Sequence, residues 1–268
     1  MNIMFIGAHP DDCEYYAAGT AVKLASRGHH IMMLSVSNGD AGHHVLGREE
    51  LARIRRQEIA DSDSLLGVEG DALSFHDGEI VPSLEIRHEL IRRIRAFNAD
   101  IVVSHRPNDY HPDHRNTGLL VQDTAYLVIV PAVCPDTPAL QHNPVYLYMM
   151  DTFRSPEPFR PDVIVPVDDV WDRKLDALDA MPSQFYEWLP WTEGKLDDVP
   201  ENIDDRKKWL DTVLRTWLAN PFDAQTRALF GETADSMEMI EAFQLCEYGR
   251  QPTLDGLRKF FDGSANSV

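Results

Sequence analysis

An α/β fold built around a mostly parallel sheet is predicted by two observations. Short apolar runs alternate with amphipathic stretches of helical length through the first two-thirds of the chain, the pattern of strand-helix-strand units. Polar clusters rich in His, Asp and Pro directly follow two of those apolar runs. In open α/β sheets the ligand crevice lies beyond the carboxyl ends of the strands, where such clusters would fall.

Strands are expected from Ile3 to Ala8, His30 to Ser37, Ala72 to Phe75, Ile101 to Ser104, Val145 to Met150 and Val163 to Val167. Helices are expected between and after them, from Glu14 to Arg27, Arg48 to Leu66, Leu84 to Phe97, Arg115 to Val128, Trp171 to Met181 and Asp204 to Leu218. Gly28, Gly67 and Asn98 are placed as helix stops, since these residues accept the left-handed conformation that ends a helix. No repeat, low-complexity tract or long linker divides the chain, so residues 1–268 read as a single domain. The segment 186–235, with Trp188, Trp191 and acidic Asp197-Asp198, reads as a helical insertion towards the C-terminus that either roofs the crevice or packs on its flank.

The 268 residues are 43% apolar, enough for an ordinary buried core. With 44 acidic against 25 basic residues the formal charge is -19, which opposes polyanions. Neither nucleic acid nor a membrane is therefore expected as a partner, and a small substrate without strong negative charge is. The opening Met1-Asn2 runs straight into the first strand without a leader pattern, and no apolar run has bilayer-spanning length, so a cytoplasmic location is expected. Cys13, Cys134 and Cys246 lack paired spacing and are expected as free thiols.

His9-Pro10-Asp11-Asp12 and His111-Pro112-Asp113-His114 carry the chemistry. An imidazole and a carboxylate three residues apart at a strand end can grip a divalent ion, and a distant histidine can close the set while leaving positions open. A single such cluster is as easily a proline turn with a solvated histidine. Two of them behind two strands favour a shared metal. Asp77 before Gly78 reads equally as a turn residue, and Arg55 beside Arg53 and Arg56 as surface charge.

His-Pro-Asp-Asp, then Gly19-Thr20, the Arg55-x-x-Glu58 helix ending Leu66-Gly67, and His111-Pro112-Asp113-His114 together resemble the PIG-L/LmbE-like family of zinc-dependent N-acetylglucosaminyl deacetylases. The likeness covers about the first 130 residues and, more loosely, Pro161 to Gln184. It implies a Rossmann-like fold, Zn²⁺ or another divalent transition metal on His9, Asp12 and His114, Asp11 as general base, and His111 at the oxyanion. It further implies that Arg55 and Asp77 orient substrate, that the substrate is a small acetylated amino sugar or conjugate, and that the protein is a homo-oligomer. The motif departs from the family where Cys13 stands before Glu14, at no ligand position.

Elementary chemistry suits those roles. Zinc lowers the pKa of bound water from 15.7 towards about 7, Asp11 can accept its proton, and a protonated His111 oriented by Asp113 can stabilise the developing negative charge. Two rival readings remain: a ferrous two-histidine, one-carboxylate oxygenase, opposed by the three-residue His-Asp spacing on an α/β chain, and a non-catalytic sugar- or metal-binding protein, opposed by the base at position 11.

Overall fold

A computed structural model describes residues 1–268. Strands β1 (Asn2–Gly7), β2 (His30–Ser37), β3 (Glu69–Phe75), β4 (Ile101–Ser104), β5 (Val145–Met149), β6 (Val163–Pro166) and β7 (Ile240–Gly249) form one sheet in the order β3-β2-β1-β4-β5-β7-β6. The first five strands pair in parallel, and β7 runs antiparallel to both neighbours.

The helices are α1 (Asp12–Ser26), α2 (Arg48–Leu66), α3 (Leu84–Phe97), α4 (Pro112–Leu127), α5 (Trp171–Asp179), α6 (Leu189–Thr192), α7 (Ile203–Trp217), α8 (Asp223–Phe230) and α9 (Leu254–Asp262). No helix is long and apolar enough to cross a membrane.

Strands β1, β4, β5 and β6 read as nearly continuous apolar runs because both faces are covered. Alternate side chains of β1 separate into two cores. Ile3 and Phe5 join the larger one, with residues of α1, α5, α7 and α9, whereas Met4 and Ile6 pack with residues of α3 and α4. Gly67 and Asn98 adopt the left-handed conformation that ends α2 and α3, as expected. Ser83 caps α3 by accepting the Ile86 N–H.

Two expectations change. The third strand begins at Glu69 rather than Ala72, because edge pairing with β2 recruits the polar Glu69-Gly70-Asp71. Strand β7 and helix α9, absent from the sequence reading, complete the sheet and cover it. Residues 186–235 contain α6, α7 and α8, preceded by a π-helical turn at Ser183–Trp188.

The strand order reverses at β1, whose neighbours β2 and β4 lead away in opposite directions. Loops leaving the carboxyl ends of β1 and β4 diverge there and open a crevice. Both histidine clusters lie on those two loops and on the first turns of the helices that follow.

Candidate active site

The loop after β1 turns tightly, with Asp11 and Asp12 N–H both directed at the His9 carbonyl (3.0 and 3.3 Å). Asp12 begins α1, and its Oδ2 accepts the Ala8 and His9 N–H groups at 2.8 Å each. Such bonds to a carboxylate are charge-assisted and fix the side chain before anything else binds. Gly7 makes room for this, since a Cβ there would lie 2.7 Å from the Asp12 Cβ.

On the facing loop His111 caps α4, its Nδ1 accepting the Asp113 N–H at 3.2 Å, and Pro112 occupies the first turn, where its missing N–H costs nothing. His114 follows one turn into the helix. Gly118 lets α4 press against the strand end, because a Cβ would stand 2.7 Å from the His105 carbonyl oxygen.

These elements bring three ligand side chains together. His9 Nδ1 lies 3.2 Å from His114 Nε2 and 3.5 Å from Asp12 Oδ2, while His114 Nε2 is 3.3 Å from Asp12 Oδ1. Ligands held about 2.1 Å from a tetrahedral ion stand roughly 3.4 Å apart, so each of these spacings suits a divalent metal, with Asp12 meeting His9 through Oδ2 and His114 through Oδ1. Each imidazole also has a carboxylate at its other nitrogen. His9 Nε2 is 3.3 Å from Asp77 and 3.4 Å from Asp113, and His114 Nδ1 is 3.2 Å from Asp109. Carboxylates behind metal-binding histidines fix the tautomer and raise ligand basicity.

Burial opposes charge on both rings, yet Asp113, Asp12 and Asp77 raise His9 well above the ordinary histidine value, and Asp12 with Asp109 raises His114 to about 9. Burial would raise the Asp12 carboxyl, but His114 and His105 hold it well below the usual range. A divalent ion competes with protons for this set.

Asp11 turns away from its neighbour's ligands and lines the pocket, with Oδ2 2.9 Å from Arg55 Nη2. Burial pushes its carboxyl up to about 6 against the pull of Arg55, near the value a general base needs at neutral pH. Arg55 is only 1% exposed and does not line the pocket. Its Nη1 donates to Glu58 (3.0 Å), which in turn accepts the Ser183 N–H and hydroxyl at 2.7 Å each.

The structure therefore gathers His9, Asp11, Asp12, His111 and His114 around one pocket of about 440 Å³. It moves three residues from their expected places. Arg55, expected on substrate, is buried behind Asp11 because α2 packs its charged face inward here. Asp77 faces His9 and accepts no place in the pocket wall. Asp113 orients His9, and it touches His111 only through its own backbone N–H. That bond occupies the His111 Nδ1 lone pair, and burial together with His9 and His114 lowers the ring's pKa, both of which oppose the expected imidazolium.

Sequence reasoning missed Asp109, whose Oδ1 also accepts the His111 N–H at 2.9 Å. An Asp two residues before a helix cap was the available signal. His105, expected in the crevice wall, donates towards Asp12 Oδ2 at 3.1 Å and stacks on His114 with ring centroids 4.2 Å apart. Tyr15, Tyr16, Gln184 and Trp217 also line the pocket and had no distinguishing pattern in the sequence.

Fold and site together place the chain among α/β proteins with a metal-capable histidine-carboxylate set at the switch point of the sheet. Residues 4–125 match the family model PIG-L, GlcNAc-PI de-N-acetylase. It is similar to the diacetylchitobiose deacetylase of Thermococcus kodakarensis, 29% identical over 198 residues that cover 71% of this chain and 73% of that protein. The solved N,N'-diacetylchitobiose deacetylase of Pyrococcus horikoshii aligns with a TM-score of 0.69 at 26% identity, covering 91% of this chain and 83% of that one. GalB, the 4-carboxy-2-hydroxymuconate hydratase of Pseudomonas putida KT2440, aligns with a TM-score of 0.70 at 18% identity over 94% of this chain and 98% of that one. At that identity the likeness is one of fold, and fold alone does not carry a reaction.

Proposed function

We propose that this protein is a metal-dependent hydrolase, with Zn²⁺ as its ion, that removes the N-acetyl group from an N-acetylglucosamine-type amino sugar or its conjugate. The observation that carries the reading is the convergence of His9, Asp12 and His114 at 3.2–3.5 Å beside a carboxylate, Asp11, that is not one of the three. The similarity to deacetylases of acetylated amino sugars supports the choice of reaction.

A divalent ion at these ligands supplies a water acidified to about neutral pKa and withdraws electron density from the amide carbonyl. Asp11 accepts the proton of the attacking water and later returns it to the leaving nitrogen, a role suited to its raised pKa. Arg55 holds Asp11 in place and favours its charged form. His111, neutral with Nδ1 occupied by the helix cap, presents Nε2–H as a hydrogen-bond donor to the oxygen on which charge develops. Asp77, Asp113 and Asp109 hold the two ligand imidazoles in register.

Acetate release from N-acetylglucosamine and its conjugates, measured before and after chelation and again after adding back zinc, tests the reading. Loss on chelation and recovery with zinc are expected. Turnover that survives complete metal removal would overturn it.

A further inference from the structure

The walls of the pocket beyond the reacting centre differ from its floor. The ligands and Asp11 form the floor, whereas the far wall consists largely of aromatic and apolar side chains with one carboxylate, Glu193. No lysine or arginine lines the pocket. Of the cations close by, Arg55 is buried on Asp11 and Glu58, and Lys195 at the rim is paired with Glu193 at 2.7 Å.

Trp188 stands in that wall on a prebuilt support. Its ring stacks on Trp191 (centroids 5.2 Å, 16°), Trp191 on His44 (5.2 Å, 9°) and His44 on His43 (4.7 Å, 20°). His43 Nε2 is tied to Glu187 at 2.8 Å, and the Gln184 side-chain amide donates to the Gly42 carbonyl at 3.0 Å. The loop after β2 and the π-helical turn thus clamp each other, and the turn directs Gln184, Phe185 and Trp188 to the pocket. Single π turns of this kind recur at functional sites. A rigid aromatic face that needs no ordering on binding is suited to the apolar face of a pyranose ring.

We infer that the wall formed by Trp188 and Glu193 is a subsite for the part of the substrate beyond the acetylated sugar, and that this part is an uncharged saccharide ring. The inference rests on the deacetylase reading for its floor. A pocket of about 440 Å³ exceeds what one acetamido group requires. A second ring laid on Trp188 offers hydroxyls to Glu193, whose carboxylate accepts them. A phosphate or carboxylate in the same place meets Glu193 and a chain of net charge -19, with no free cation to offset either.

The test compares N-acetylglucosamine, N,N'-diacetylchitobiose and N-acetylglucosamine 1-phosphate. Binding is read by calorimetry on the zinc-loaded full chain carrying Asp11→Asn, which prevents consumption of the ligand, and acetate release is read on the unaltered chain. The disaccharide is expected to bind about tenfold more tightly than either monosaccharide. Adding Trp188→Ala is expected to remove that advantage and Trp188→Phe to restore most of it. Glu193→Lys, at an exposed position that leaves the core untouched, is expected to raise affinity for the phosphate conjugate. Phosphate-conjugate binding as tight as that of the disaccharide, or an unaltered ratio in Trp188→Ala, overturns the subsite. Binding in the expected order without acetate release overturns the reaction and leaves the subsite standing. Acetate release with the reverse order does the opposite.

Discussion

Two clusters of buried charge meet α1, one against its middle and one at its N-terminus, and they differ in one respect. Lys174 and Glu241 are sealed in the core, with Glu241 0% exposed and accepting from Lys174 Nζ (2.7 Å) and from the Gly19 and Thr20 N–H groups (2.9 and 2.6 Å). Every charge there has a partner inside the protein. Around His9 and His114 the groups are as crowded, yet His9 Nε2 and His114 Nδ1 meet their carboxylates only as ion pairs without well-aligned hydrogen bonds, Asp113 Oδ1 and Arg55 Nε have no hydrogen bond, and the cluster opens on a pocket. A buried polar group left short of partners is costly and is retained where it serves a site. The first cluster holds the fold together, and on the proposed reading the second receives an ion and a substrate.

The contrast can be broken most severely at the ligands. His114→Ala is expected to lose both bound metal and measurable acetate release while remaining folded by circular dichroism. Metal analysis showing near-stoichiometric zinc in that protein would count against the set.

In the sealed cluster the expected outcome is the reverse. Lys174→Met leaves Glu241 buried without its counter-charge, which costs about 3–5 kcal/mol in denaturant melts. The folded fraction is expected to keep its metal. Metal loss parallel to that of His114→Ala would erase the distinction between the clusters.

Asp63 sharpens the comparison, because its carboxyl is buried with both oxygens unpartnered. Burial raises it from 3.8 to about 7. The folded state thus holds a proton that the unfolded chain releases near pH 4. Its contribution to stability is complete below about pH 4 and is lost as pH rises through about 7. Asp63→Asn is expected to flatten this dependence and to stabilise the protein at pH 8 by roughly 2 kcal/mol. Melts at pH 5 and pH 8 check it, and an unchanged difference between them would contradict the assignment.

The smallest expected effect is at Arg55. With Asp11 required as a carboxylate, kcat/KM falls as pH drops through about 6. Arg55 lowers that value, so Arg55→Gln is expected to move the acid limb upward by about one pH unit and to cut kcat/KM at about pH 7 about twofold. A limb that stays in place, with only KM raised, would return Arg55 to a substrate-binding role.

The sequence made the parallel strands and the two His-Pro-Asp clusters legible because each depends on local pattern: strands buried on both faces are apolar throughout, and strand-end loops must carry the polar groups. Strand β7 escaped because Glu241 and Gln244 interrupt its apolar run, and Glu241 points inward only because Lys174 on α5 meets it. Asp109, Asp77 and Asp113 could not be assigned to their histidines in advance, since those pairings depend on how α4 seats against the loop after β3. Arg55 looked like surface charge or a substrate contact because nothing local reveals that Glu58 and Ser183 enclose it.

The central claim is that binding the ion and moving the proton fall to adjacent carboxylates, Asp12 and Asp11. Zinc content and acetate release measured together on Asp11→Asn test this most directly. The expected result is one zinc per chain with turnover reduced by about 10²–10⁴-fold, the range that loss of a general base produces. Zinc lost in proportion to activity, or turnover close to that of the unaltered protein, would contradict it.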